Sequence, residues 1–220
     1  MTKSDTRIGR WMARLWDLRR RPLFHLVLWR LGFASAETQT TEAERDCLAR
    51  HAAGGTRIAE IGVYHGVTTR RLKSVMDPAG VIVAIDPFPK QRLGFSAHRI
   101  IARRQVLKIK SGTVRWMRTT GSQAAKELLA ENARCFDFVF VDGDHSWDGL
   151  KSDWEGWRNL IAPGGIIALH DSHVTPVRDD LEGAGSLLFT QQVIVHDRDF
   201  QTVDVVDSLT VLRKRAPTVL

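Results

Sequence analysis

Cysteine is scarce: Cys47 and Cys135 are the only two among 220 residues. Two thiols exclude a disulfide framework and a cysteine-built zinc site, and a reducing cytosol is the natural compartment for such a chain. No apolar run reaches the roughly 20 residues that a bilayer span needs. Leu23 to Leu31 comes nearest, but it is short and broken by His25 and Arg30. Arg19 to Arg21 precede it as in an export signal, yet no small-residue cleavage site follows, so export is not expected. Internal repeats and low-complexity segments are also missing, which excludes repeat architectures. Acidic side chains are short only at one end. Of the net charge of +7, almost all belongs to residues 1–30, where eight Lys/Arg face only Asp5 and Asp17. The basicity therefore describes an appendage, and nucleic acid is not an expected partner.

What is present suits one α/β domain with a sizeable core; the apolar content of 43% is ordinary for a globular chain. Residues 1–37 read as a basic amphipathic extension and residues 38–220 as the domain proper. In the extension, Ile8, Trp11, Met12, Leu15, Trp16 and Leu18 recur at helical spacing between arginines until Pro22. Such a helix suits an anionic membrane surface, giving a peripheral contact. Packing on the domain or on a second copy of the chain, as a homo-oligomer, is the plainer reading.

Thr41 to Glu44 form a capping box that predicts a helix ending at Gly54-Gly55. Beyond it, strands are expected near 57–61, 81–85, 113–118, 136–141 and 165–169, with helices near 68–76, 96–104, 122–133 and 147–160. This alternation predicts a doubly wound, mostly parallel sheet covered on both faces. Val193 to Val195 and Ser208 to Leu212 then read as an antiparallel pair at the sheet edge. Trp147, Leu150, Trp154, Trp157 and Ile161 read as the buried stripe of a helix.

The first βαβ unit carries the clearest functional pattern. Its first strand runs into Glu60-Ile61-Gly62-Val63-Tyr64-His65-Gly66, and its second ends at Asp86. Glycines at a strand-to-helix turn allow close approach of a ligand, and an acid about twenty residues on accepts from ribose hydroxyls. A dinucleotide fingerprint would place glycines at Tyr64 and Val67, so a nucleoside without a pyrophosphate fits better. Ser122, read as a helix N-cap, and Gln123 follow the third strand at the same end of the sheet.

The fourth strand runs into Asp142-Gly143-Asp144-His145, and the fifth into His170-Asp171-Ser172-His173. If these strands are parallel neighbours, Asp142 faces Asp171, and two close carboxylates favour a divalent cation such as Mg2+. A carboxylate at one such tip is as well explained as a helix cap. His145 stands where an imidazole takes a proton from a substrate hydroxyl. His170 is either a third metal ligand or a buried histidine bonded to an acid. Lys90, Arg92, Arg103 and Arg104, between Phe88 and Arg104, suit an acidic or phosphorylated acceptor, and equally a solvated loop.

The run Asp137 to Ser172, DFVFVDGDHSWDGLKSDWEGWRNLIAPGGIIALHDS, resembles class I S-adenosylmethionine-dependent methyltransferases, in the branch of sugar and antibiotic O-methyltransferases. The resemblance covers about residues 40–213. It implies a Rossmann-like seven-stranded sheet with the last strand antiparallel. It also implies S-adenosylmethionine as cofactor and a small-molecule or sugar hydroxyl as acceptor. Glu60, Gly62 and Gly66 would surround the methionine part, with Tyr64 where the family usually has glycine. Asp86 would hold the ribose, Ser122 and Gln123 would border the adenine, and Asp142 would complete the lining. Asp142 and Asp171 would be metal ligands, with a third at His170 or Ser172, and His145 would be the base. Two other functions compete. A nicotinamide-dependent oxidoreductase is opposed by the missing glycines and acidic strand tips. A non-catalytic docking module would rest on the extension alone.

Overall fold

The computed structural model describes residues 21–91, 93–133, 135–176 and 178–216. The expected helix through Ile8 to Leu18, and Arg92 of the basic segment, lie outside them. Seven helices are described: α1 (Pro22–Arg30), α2 (Glu42–Ala52), α3 (Val67–Val75), α4 (Ala97–Val106), α5 (Gly121–Ala130), α6 (Trp147–Trp157) and α7 (Gly185–Gln192). The strands are β1 (Arg57–Ile61), β2 (Val81–Ile85), β3 (Thr113–Met117), β4 (Phe136–Val141), β5 (Ile161–Leu169), β6 (Phe200–Val206) and β7 (Leu209–Lys214). They form one sheet in the order β3-β2-β1-β4-β5-β7-β6. The first five strands pair in parallel, and β7 runs antiparallel to both β5 and β6.

Side-chain alternation along each strand divides the core in two. Ile58, Phe138, Phe140, Ile166 and Ala168 meet Cys47 and Leu48 of α2 and Leu72 of α3. Their neighbours Ala59, Val139, Val141, Ile167 and Leu169 meet Ala124 and Leu128 of α5, Trp154 and Trp157 of α6, and Phe189 of α7. The aromatic stripe of α6 is thus core, with Trp157 fully buried and its Nε1 donating to the Gly121 carbonyl at 2.9 Å.

The antiparallel edge exists, but its membership differs from the sequence reading. Val193 to Val195 are not a strand. Val193 closes α7 by donating its N–H to the Phe189 carbonyl, and Ile194–His196 form a 3-10 turn. The edge strand is β6, seven residues long. The order of the parallel strands reverses at β1, between β2 and β4. Ligands of doubly wound sheets bind beyond the carboxyl ends of the strands at such a point.

Candidate active site

A cavity of about 920 Å³ opens at that point. It is lined by Glu60, Gly62 and Tyr64 after β1, Asp86 after β2, Ser122 at the start of α5, and Asp142 and His145 after β4. Seven of the expected site residues therefore meet around one space. Gly62 has φ +88°, and a Cβ there would lie 1.9 Å from the Asp142 carbonyl oxygen. No other residue permits the two loops to pass so closely. Glu60 is buried, with Oε2 lacking any hydrogen-bond partner. Burial, with Asp142 and Asp86 nearby, raises its carboxyl well above the ordinary range.

Asp86 shapes the glycine loop as well as facing the cavity. Its Oδ2 accepts from the backbone N–H of Val63 at 3.1 Å and of Tyr64 at 3.0 Å, and Oδ1 accepts from Phe88 N–H at 2.7 Å. Carboxylate oxygens hold two lone pairs each, so capacity for ribose hydroxyls remains. Tyr64 occupies the left-handed region at φ +49°, which a glycine would adopt without strain. Its ring stacks on His65 with centroids 4.0 Å apart, and its hydroxyl donates to Glu37 at 2.6 Å. These contacts hold a conformation that the side chain itself disfavours.

Two of the expected cofactor residues stand elsewhere, and a third has a different local role. Gly66 caps α3 at φ +71° and does not line the cavity; a Cβ there would press on the backbone of Ala102 in α4. Gln123 turns its Nε2 to Glu127 at 3.3 Å. Ser122 lines the cavity but is not the cap of α5, because Thr120 accepts the capping bond from Gln123 N–H.

The chemical end is a chain of acids and imidazoles. β4 and β5 are parallel neighbours, as the facing of Asp142 and Asp171 requires. His145 is about one-third exposed; its Nε2 lies 3.8 Å from Asp142 Oδ1 and its Nδ1 3.5 Å from Asp171 Oδ2. His170 is buried behind the cavity wall, with Nδ1 2.9 Å from Asp142 Oδ1 and 3.4 Å from Asp171 Oδ1. Its Nε2 lies 3.4 Å from Glu44 Oε2. Burial alone would lower the His170 pKa, but Asp142, Glu44 and Asp171 outweigh it and push the value up to about 10. Burial likewise raises Glu44, and His170, Ser208 and the Thr41 backbone more than offset it, leaving about 2. Asp171 itself has φ +49° and pairs with Arg178 Nη1 at 3.1 Å.

Sequence reasoning missed four of these participants. Glu44 was legible only as the third helical position of the capping box, which it is; Ser208 N–H and Oγ also donate to it. Arg178 lies in a segment with no periodic signal. Glu37 lines the cavity from the N-terminal side. Asp153, on the cavity face of α6, is held at about pKa 6 by burial.

Solved structures share this fold. The O-methyltransferase TomG from Streptomyces achromogenes, in complex with S-adenosylmethionine, superposes with a TM-score of 0.63 at 16% identity, covering 98% of this chain and 100% of that one. An O-methyltransferase from Bacillus cereus in complex with S-adenosylhomocysteine gives 0.59 at 17% identity, over 94% and 97%. In sequence, proteins named as O-methyltransferases from Mycobacterium tuberculosis and Mycobacterium avium are 33% and 32% identical over 125 and 117 residues. Those matches take in 56% and 53% of this chain and 51% and 48% of the relatives. The chain thus spans about half the length of these curated relatives. A family profile described as a methyltransferase domain matches residues 59–172. That stretch runs from the glycine loop through Asp86 to both acidic strand tips, and by it this chain belongs to the methyltransferase domain family.

Proposed function

We propose that the chain is an S-adenosylmethionine-dependent O-methyltransferase acting on a hydroxyl of a small molecule or sugar, assisted by a divalent cation. The carrying observation is Glu60, a buried carboxylate whose free oxygen borders a cavity floored by Gly62. A cation-bearing ligand such as the ammonium of S-adenosylmethionine satisfies that oxygen, since a buried acceptor without a donor is costly. Asp86 accepts the ribose hydroxyls, and Ser122 borders the adenine. The expected role of Gln123 has no support from its contact with Glu127.

Asp142 Oδ1 and Asp171 Oδ1 are buried without a well-directed hydrogen bond, and carboxylate oxygens suit a divalent ion. His170, charged between Asp142, Glu44 and Asp171, offers a nitrogen lone pair only after it gives up a proton. Among the described residues the donor groups gathered within 4.8 Å are His25–Glu37–His65 and Cys47–His51–Asp204, and Asp142–His170–Asp171 is not one of them. Arg178 pairs with Asp171 Oδ1 and competes with a cation for that oxygen. When bound, the cofactor supplies a methyl on a sulfonium leaving group, and the ion supplies charge that lowers the pKa of a nearby hydroxyl. The chain does the rest. The cavity walls align the acceptor oxygen behind the methyl. His145 takes the hydroxyl proton, and the resulting imidazolium lies between Asp142 and Asp171.

Residues 38–220 form the transferase domain in this reading, and residues 1–37 are an extension whose described part packs on it, with His25 buried against His65 and Glu37 lining the cavity. Val27, Leu31 and Phe33 are exposed in the described part of the extension, which favours contact with a membrane surface or a second copy. Among the described residues no helix is long and apolar enough to cross a membrane. Calorimetric titration with S-adenosylhomocysteine tests the central claim. Saturable binding, lost in Glu60→Ala, is expected. No heat of binding with folded protein would remove the basis for a methyltransferase.

A further inference from the structure

A second, smaller hollow of about 210 Å³ lies beyond the Asp86-Pro87-Phe88 turn. Ser96, Arg99, Ile100 and Arg103 line it from α4, and their spacing of three, four and seven places them on one helix face. Lys90 and Arg118 close it from the loop after β2 and the end of β3. No acid lines it, and among the described residues none of the four cations is paired with a carboxylate. Arg99 Nε is buried with no hydrogen-bond partner. Burial, with the charges of Arg118 and Arg103 beside it, pulls the Arg99 guanidinium below its ordinary pKa. Arg118 commits one Nη2–H to the Phe88 carbonyl at 3.1 Å, and the rest of its fork is available.

Solvated arginines on a convex surface repel one another weakly and splay apart. Here four cations converge on a concavity instead: Arg99 from the first turn of the ten-residue α4, Arg103 from its last turn, and Lys90 and Arg118 from outside it. A water molecule takes about 30 Å³ of liquid volume, so the hollow has room for a tetrahedral anion with several waters. Guanidinium forks match phosphoryl oxygens two at a time.

We propose that Lys90, Arg99, Arg103 and Arg118 form a binding site for a phosphoryl group, outside the main cavity and separate from the methyl-transfer residues. The group is carried either by a phosphorylated small-molecule ligand or by free phosphate. The site does not depend on the methyltransferase assignment.

The test is calorimetric titration of the full chain with inorganic phosphate and with pyrophosphate at low salt, with S-adenosylhomocysteine as a separate ligand. Saturable binding of at least one of the two is expected. Arg103→Gln, an exposed position, and Arg99→Gln should each weaken it by at least about tenfold, the usual weight of a charge-assisted bond, without changing S-adenosylhomocysteine affinity. Arg104→Gln removes the same charge from the same helix outside the hollow and should have little effect. Pyrophosphate binding tighter than phosphate identifies a diphosphate-bearing ligand, equal binding a single phosphoryl group, and both outcomes sustain the site. Absence of binding by both anions overturns it, as does equal weakening by Arg104→Gln.

Discussion

His145 and His170 meet the same two acids and use them differently. His170 is sealed in and charged by them, whereas His145 keeps one side open to the cavity. Only the open imidazole can reach a substrate proton. His145→Ala should therefore cut turnover roughly 10²- to 10⁴-fold, the usual share of a positioned base, and leave S-adenosylhomocysteine affinity unchanged. Equal loss of both, measured by calorimetry and a methyl-transfer assay on catechol and sugar acceptors, would refute the assignment. Arg178 permits a separate check. If its guanidinium competes with a cation for Asp171, Arg178→Gln should bind Mn2+ more tightly than the parent chain, and unchanged affinity would count against ligation there. Asp142 and Asp86 were legible because each directly follows an apolar strand, and His145 because it stands three residues after Asp142 in the same loop. Glu44 and Arg178 were not, because they act through contacts made only when distant segments fold together.

At the scale of elements, the parallel half of the sheet was legible and the last third was not. Strands β1, β2 and β4 are buried on both faces, so they read as continuous apolar runs between turn signals. Val193-Ile194-Val195 carries the same β-branched signal in three residues, but Ile194 alone enters the core while its neighbours stay exposed. Tertiary packing overrode strand propensity there. Helix α7 went unseen because it lacks a side-chain cap and charged residues. Its position depends instead on Gly185, where a Cβ would lie 2.1 Å from the Trp147 backbone nitrogen. The Trp stripe was legible by its three- and four-residue spacing, and it yields a stability prediction. Trp157 packs against Phe136 with ring centroids 5.4 Å apart, so Trp157→Ala should destabilise the fold by about 3–5 kcal/mol. A urea-unfolding midpoint close to that of the parent chain would show that the stripe is not central to the core.

Across the whole molecule, two buried histidines set opposite limits on pH stability. Burial, together with His98 and His25, holds His65 down at about pKa 3, against 6.5 when free. Between those values the unfolded chain takes up a proton that the folded chain refuses, so stability falls as pH drops below about 6.5. Asp153, held at about 6 against 3.8 when free, takes up its proton earlier in the folded state and offsets this loss between those values, as does the raised Glu60 carboxyl. His170 works at the other end. Its folded value of about 10 lies above the free 6.5, so its contribution is full below pH 6.5 and is lost as pH rises through 10. Each limb has a slope on the order of 1.4 kcal/mol per pH unit for one uncompensated group. Urea midpoints measured from pH 4 to 10 should therefore stay nearly level below pH 6, where the His65 loss is met by the Asp153 gain, and fall as pH rises from 6.5 toward 10. His65→Gln should make stability rise toward acid pH, because Asp153 then acts unopposed, and His170→Gln should flatten the alkaline side, each leaving the other limb in place. If His65→Gln left the acid slope unchanged, the proton uptake would belong to another group. The stacked rings of His25, His65 and Tyr64, with His98 edge-on to the last two, would then be packing without a part in the pH response.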